Sequence, residues 1–347
     1  MNGISSINYH VLARLLYTTD DMIDSRTTPT AGSLRPASAP RRPCLAILLC
    51  TYQGERFLAQ QLDSIKAQTF ADWALWTSDD CSSDGTVAIL ESYRQSWGDD
   101  RLFIRAGPAQ GFRANFLSLA CDPAIAADYF AFSDQDDLWD HDKLEVALRW
   151  LESIPGTTPA LYCARTRLID ENNQPVGYSP LFPKPFVFGN ALAQSGGGGN
   201  TMVFNAAARA LLVEAGADVV VQTHDWWAYI LVSGCGGKVY YDPTPKVAYR
   251  QHGRNLVGSN ASWLGRLRRL RRILIGHFKT MNDRNIAALQ RMRHRLSPQS
   301  LRVLDDFTHA RGRWLVPRVI GIRRSGIYCQ TVVTNLALMG ATLLKKL

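Results

Sequence analysis

The chain has 347 residues, 46% hydrophobic and 20% charged, with 39 Lys plus Arg against 30 Asp plus Glu for a formal net charge of +9. This composition excludes a disordered or fibrous protein, and the length suits one catalytic domain with appended segments better than three domains. The positive excess gathers near the C-terminus, so it concerns the partner of that region and not the surface as a whole.

Residues 1–42 lack a basic start followed by an apolar run, so no secretory signal is expected there. From Thr27 to Pro43 the chain is rich in Pro, Thr, Ala, Ser and Arg, the composition of a disordered leader or of an overlong gene start. Beyond it the continuous apolar run Cys44–Cys50 predicts a first buried parallel strand, ended by Thr51-Tyr52-Gln53-Gly54. Phe57, Leu58, Leu62 and Ile65 then fall at helical spacing within 55–68, giving half of a βαβ unit. Residues 72–77 supply a second strand. A polar loop, Ser78-Asp79-Asp80-Cys81-Ser82-Ser83-Asp84-Gly85-Thr86, separates it from a helix over 87–96. Acids just beyond a strand either accept hydrogen bonds from a base or ribose or satisfy their own turn.

A third strand over 102–105, a helix over 111–120 and a strand over 129–132 follow. Strands alternating with helices predict an α/β fold with a mostly parallel, doubly wound, Rossmann-like sheet. No GxGxxG follows the first strand and no GxxxxGK[ST] occurs, which disfavours dinucleotide-binding dehydrogenases and P-loop enzymes.

The strand ending at Phe132 delivers Ser133-Asp134-Gln135-Asp136-Asp137-Leu138-Trp139. Three acids within four residues repel one another unless a cation or hydrogen-bond donors offset the repulsion, and Mg2+ or Mn2+ suits oxygen ligands. Capping of the next helix, expected over 141–153, accounts for one Asp but not for three. Seven cysteines (Cys44, Cys50, Cys81, Cys121, Cys163, Cys235 and Cys329) contain no CxxC pair and make no complete disulfide set. They are expected as small core residues in a reducing compartment.

The ordered series of apolar strand, Thr51-Tyr52-Gln53-Gly54, Gln61-Leu62-Asp63-Ser64-Ile65, Ser78-Asp79-Asp80, Ser83-Asp84-Gly85-Thr86 and Ser133-Asp134-Gln135-Asp136-Asp137-Leu138-Trp139 resembles glycosyltransferase family 2. The similarity continues in Gly199-Asn200-Thr201-Met202-Val203-Phe204-Asn205, His224-Asp225-Trp226-Trp227 and Tyr249-Arg250-Gln251-His252-Gly253, covering about residues 44 to 258. The particular wording resembles the rhamnosyltransferase-type branch that builds bacterial surface polysaccharides.

The resemblance implies a GT-A-type fold and an inverting, metal-dependent transfer. It assigns the donor nucleotide to Thr51, Tyr52, Asp79, Asp80 and Asp134, and the metal to Asp136 with Asp134. Asp137, Trp139, Trp226 and Trp227 are expected at the acceptor or sugar, Arg250 and His252 at the diphosphate, and Asp225 as the catalytic base. For Asp225 and the two tryptophans the bland alternative is a helix cap and core packing. Gly196–Gly199 either let backbone approach a ligand or form a flexible loop. The implied donor is dTDP-L-rhamnose and the acceptor a saccharide or lipid-linked saccharide. A metal-dependent nucleotidyltransferase and an inactive nucleotide-sugar-binding relative are the rival readings.

Three parts are therefore expected: a leader (1–42), a glycosyltransferase domain (43–260) and a basic helical C-terminal region (261–347). In the last, Trp263, Leu267, Leu270, Leu274 and Phe278 share one helix face while Arg268, Arg269, Arg271 and Arg272 point away, which suits an anionic membrane surface at the cytoplasmic side, the plain alternative being an amphipathic helix that packs on the enzyme. Nucleic acid is disfavoured because no binding module accompanies the arginines. Residues 327–344 are apolar but interrupted by Gln330, Thr331, Thr334 and Asn335, marginal for a full span.

Overall fold

The computed structural model describes residues 44–253 and 277–347. Its centre is β1 (Leu45–Thr51), buried at all seven positions. Leu45, Ile47 and Leu49 point to one face of the sheet while Ala46, Leu48 and Cys50 point to the other, and two separate hydrophobic clusters form on these faces. Burial on both faces is why the strand reads as an unbroken apolar run.

On one side β1 pairs in parallel with β2 (Trp73–Asp79), which pairs in parallel with β3 (Leu102–Ala106). On its other side it pairs in parallel with β4 (Tyr129–Ser133). The helices α1 (Leu58–Lys66), α2 (Thr86–Trp97) and α3 (Phe112–Cys121) make the crossovers. Strand order therefore reverses at β1, between β2 and β4, and the crevice beyond the carboxyl ends of these strands is where an open sheet takes a ligand.

Beyond β4 the sheet becomes mixed. In chain order come β5 (Leu138–Trp139), α4 (Lys143–Leu151), β6 (Ala160–Ile169), β7 (Pro175–Tyr178), α5 (Phe188–Ala191), β8 (Val203–Asn205), α6 (Ala206–Ala215), α7 (His224–Gly234) and β9 (Lys238–Arg250). β8 runs antiparallel between β4 and β6, β9 is parallel to β6, and β5 is antiparallel to β9. The parallel part agrees with expectation, but antiparallel pairs are as numerous as parallel ones across the whole sheet.

The two short strands expected over 238–241 and 246–249 are one strand with an irregularity. Register jumps from Ala164 opposite Asp242 to Thr166 opposite Val247. Pro243 and Pro245, which lack an amide proton, thus fall where no ladder bond is required of them. The cysteines are all free thiols, but Cys81 is exposed at φ +69° and so corrects their reading as core residues.

The C-terminal segment forms α8 (His277–Arg291), α9 (Pro298–Gly312), α10 (Leu315–Arg324) and α11 (Val332–Leu343). Leu289, Met292, Leu304, Phe307, Ala310, Ile322 and Leu338 join the same cluster as Phe188 and Trp227. Buried Gln330 adds polar attachment: its backbone amide donates to Gln194 Oε1, and its side-chain amide donates to Lys184 O and Asn190 Oδ1. The arginine-rich stretch 263–278, expected as a helix, lies outside the described residues except for His277 and Phe278. No helix among the described residues is long and apolar enough to cross a membrane.

Because Phe307 is fully buried in the shared core, Phe307→Ala should destabilise the chain by about 3–5 kcal/mol. Urea unfolding followed by tryptophan fluorescence should show one transition moving to lower urea. Two separable transitions would mean that the C-terminal helices fold independently.

Candidate active site

The carboxyl ends of β1, β2 and β4 open into a cleft of about 2760 Å³, well beyond the few hundred to about 1,000 Å³ of a typical small-molecule site. Thr51, Tyr52, Asp80, Asp134, Asp136, Asp225 and His252 all line it. Asp79, Asp137, Trp139, Trp226, Trp227 and Arg250 do not.

Asp79 is spent inside its own turn. It accepts from Thr51 Oγ1 at 2.8 Å, Ser82 N at 2.8 Å and Ser82 Oγ at 2.6 Å. Asp80 reaches the cleft and organises its rim, accepting from Ala109 N at 2.7 Å and Gly111 N at 2.8 Å. Of the two neighbouring acids, Asp80 is the one that lines the cleft, while Asp79 holds the loop.

The acid cluster divides in the same way. Asp137 is fully buried, accepts from Arg250 N at 3.1 Å and takes the Asn200 side-chain amide on its other oxygen. Burial pushes its carboxyl well above the usual range, and Asp136 and Asp134 push it further. Asp134 and Asp136 face the cleft. Burial, then the charges of Asp136 and Asp225, raise Asp134 to about 7, with Lys143 acting in the opposite direction. Asp136 Oδ2 lies 2.7 Å from His252 Nε2.

Arg250 corrects the expectation of a diphosphate ligand. It is fully buried, with Nε donating to Asp136 O at 2.8 Å, one terminal nitrogen donating to Gln60 Oε1 at 2.9 Å and the other bonded to Asn173. Its guanidinium carbon lies 4.4 Å from the Phe57 ring centre. The guanidinium supports the acid loop from behind.

The tryptophans are corrected as well. Trp226 is in the core with Nε1 donating to Ala191 O at 2.7 Å, and Trp227 is fully buried beside it. Trp139 is buried beneath Lys143, whose Nζ sits 3.2 Å from the ring centre. None of the three can stack on a sugar from these positions.

Asp225 stands in the first turn of α7, where the helix dipole favours a negative charge. Trp226 N donates to one oxygen at 2.7 Å and Gly199 N to the other at 3.1 Å. The glycine run is a close approach and not merely a flexible link. Gly197 has φ +103°, and a Cβ on Gly199 would lie 2.7 Å from His224 Nε2 and 3.2 Å from Asp225 Cβ.

Several residues of this site carried no assignment in the sequence. Gln135 clamps the rim, accepting from Tyr52 N at 2.8 Å and donating to Tyr52 O at 2.9 Å. Its position between Asp134 and Asp136 was the available signal. His224 lines the cleft stacked on Phe116 at 3.9 Å, and burial lowers it to about 4, so the ring is neutral. Neither ring nitrogen has a partner among the described residues. Asn200, Asn173 and Gln60 act through contacts that only folding creates.

Among the described residues no three His, Cys, Asp or Glu converge into a ready-made metal site. The donor set nevertheless fits a hard dication bound jointly with a ligand. Mg2+ is typically held by one or two carboxylates with phosphate oxygens and water completing the shell, and Asp134 and Asp136 offer that number in an environment of excess negative charge.

Residues 46–215 match the family described as glycosyl transferase family 2. The chain is 29% identical over 240 residues to the dTDP-rhamnosyl transferase RfbG of Shigella flexneri, a match covering 64% of this chain and 78% of that protein. It is 31% identical over 109 residues to the UDP-Glc:alpha-D-GlcNAc-diphosphoundecaprenol beta-1,3-glucosyltransferase WfgD of Escherichia coli, covering 30% of this chain and 39% of that protein. Among solved structures, S. aureus TarS 1-349 in complex with UDP aligns with a TM-score of 0.51 at 12% identity, over 87% of this chain and 88% of that one. The common architecture is the GT-A type.

Asp134 and Asp137 should respond oppositely to neutralisation. Asp137→Ala leaves Arg250 N and the Asn200 amide without their buried acceptor and should lower the melting temperature. Asp134 is raised from about 3.9 unfolded to about 7 folded, so its ionisation removes stability as pH rises across that window. Asp134→Asn should therefore raise the melting temperature at pH 8 in EDTA, with the gain gone by about pH 4. Equal melting of variant and wild type at pH 8 would contradict the crowding of charge.

Proposed function

The chain belongs to glycosyltransferase family 2, and from that premise we propose that it transfers L-rhamnose from dTDP-L-rhamnose, with inversion, to a lipid-linked saccharide during bacterial surface polysaccharide synthesis. The relative named for dTDP-rhamnosyl transfer supports the donor. The relative whose name specifies a diphosphoundecaprenol-linked substrate supports the acceptor class. The proposed place of work is the cytoplasmic face of the membrane.

One observation carries the mechanism: Asp225 stands on the same cleft as Asp80, Asp134 and Asp136, with its carboxylate held by two backbone amides. In this reading Thr51, Tyr52 and Asp80 take the nucleoside and Asp134 and Asp136 stand at the diphosphate. Asp225 accepts the proton of the acceptor hydroxyl as its oxygen attacks the anomeric carbon. The bond from that carbon to the diphosphate oxygen breaks on the opposite side, and one displacement inverts the centre. A divalent ion held by Asp134 and Asp136 would neutralise charge on the departing diphosphate. His252 holds Asp136 in place through the 2.7 Å contact. Neutral His224 stands next to Asp225 with both ring nitrogens buried and without a partner among the described residues.

Asp225→Asn keeps the size of the side chain and removes the base, so transfer should fall by about 10²–10⁴-fold with donor affinity unchanged. A variant retaining full turnover would remove Asp225 from this role. Calorimetric titration of dTDP, UDP and GDP with and without Mn2+ should give metal-dependent binding of dTDP that Asp136→Ala abolishes. The released product separates the rival nucleotidyl transfer, which liberates pyrophosphate and not a nucleoside diphosphate.

A further inference from the structure

We propose that the outward face of α11, with the adjoining α10, is the surface by which this protein seats on an anionic lipid bilayer, so that the catalytic cleft opens at the bilayer. The inference rests on the lipid-linked acceptor of the reading above.

Helix α11 has no charged residue in twelve. Leu338, Ala341 and Thr342 face inward, while Val332 (76% exposed), Val333 (71%), Leu336 (68%) and Leu343 (49%) face out. A helix on the surface of a water-soluble domain carries polar residues on that side. Helix α10 and its N-cap repeat the feature with Trp314, Leu315, Val316 and Ile320 exposed. Half of the exposed large apolar side chains among the described residues lie in these two helices and their flanks.

The side-chain charge within this segment is of one sign. From Phe307 to Leu347 there is no Asp or Glu against seven Lys and Arg. Arg311 is engaged with Asp283 and Arg318 is buried. Arg313, Arg323, Arg324 and Lys345 are exposed among the apolar side chains. Apolar anchors beside cations complement anionic head groups over an apolar interior, the combination by which an interfacial helix binds without spanning. Trp314 is suited to the headgroup level.

The surface is also joined to the chemistry. Val333, Leu336, Ala337, Gly340 and Leu344 line the same cleft as Asp134 and Asp225. A saccharide anchored in the bilayer would thus enter along an apolar wall without leaving the membrane surface.

The test is co-sedimentation of the full chain with phosphatidylglycerol/phosphatidylcholine vesicles and with phosphatidylcholine alone. Wild type should bind the anionic vesicles only. Val332→Asp combined with Leu343→Asp, neither of which lines the cleft, should lower the bound fraction at least tenfold and leave nucleotide affinity unchanged. Brominated phosphatidylglycerol should quench part of the tryptophan fluorescence, and Trp314→Phe should remove that part. The proposal is overturned if the double variant binds as wild type does, or if quenching survives Trp314→Phe. It is likewise overturned if only replacement of Arg268, Arg269, Arg271 and Arg272 releases the vesicles, or if the double variant dissociates a dimer that never bound vesicles. Vesicle binding without any nucleotide binding would instead overturn the enzymatic reading and leave the surface standing.

Discussion

Mutual repulsion among carboxylates governs the construction of this protein. After burial, the charges of Asp136 and Asp225 raise Asp134 and those of Asp136 and Asp134 raise Asp137, and a stable fold must offset that repulsion without using up the groups that face the cleft. The chain does so by burying one acid as a structural acceptor. Asp137 receives Arg250 N and the Asn200 amide, while the Arg250 guanidinium ties the preceding carbonyl to Gln60 and Asn173. Asp134 and Asp136 are left facing the cavity, with the buried Lys143 amine nearby, which burial pushes well below the usual lysine range.

The same division between support and exposure recurs around the cleft. Asp79 closes a turn so that Asp80 can organise the 107–111 loop. Trp226 and Trp227 fill the core so that α7 holds Asp225 and His224 at its first turn. A close-packed interior leaves little slack at such positions, so large buried side chains next to an active group set its placement instead of touching its ligand. His224 departs from this economy, with two buried nitrogens lacking partners. An incompletely satisfied polar group in a cleft suits a position that a ligand completes.

The C-terminal helices carry two opposite kinds of surface. Their inner sides extend the main core, and Gln330 locks the last turn before α11 to the 184–194 segment. Their outer sides combine exposed valine, leucine and tryptophan with exposed arginine and lysine. Packing alone explains the first. The second is the combination that the proposed seating on an anionic bilayer would use.

Most of the parallel half of the fold was legible in the chain, because strands buried on both faces must be continuously apolar and their crossover helices must be amphipathic. Cys44–Cys50 and Tyr129–Phe132 announced β1 and β4, and the acids after them announced a site. The mixed half was less legible. Strand β9 crosses two prolines through a register shift, and β5 is two residues long, so local pattern carried little information about either. The sequence by itself determined which residue types gather at the strand ends and hence the class of chemistry. Only the tertiary structure decided that Asp80, Asp134, Asp136, Asp225 and His252 face the cleft while Asp79, Asp137, Arg250 and three tryptophans hold it up. That choice depends on donors such as Gly199 N, Asn200 and Ala109 N, brought from distant positions, and no spacing along the chain encodes them.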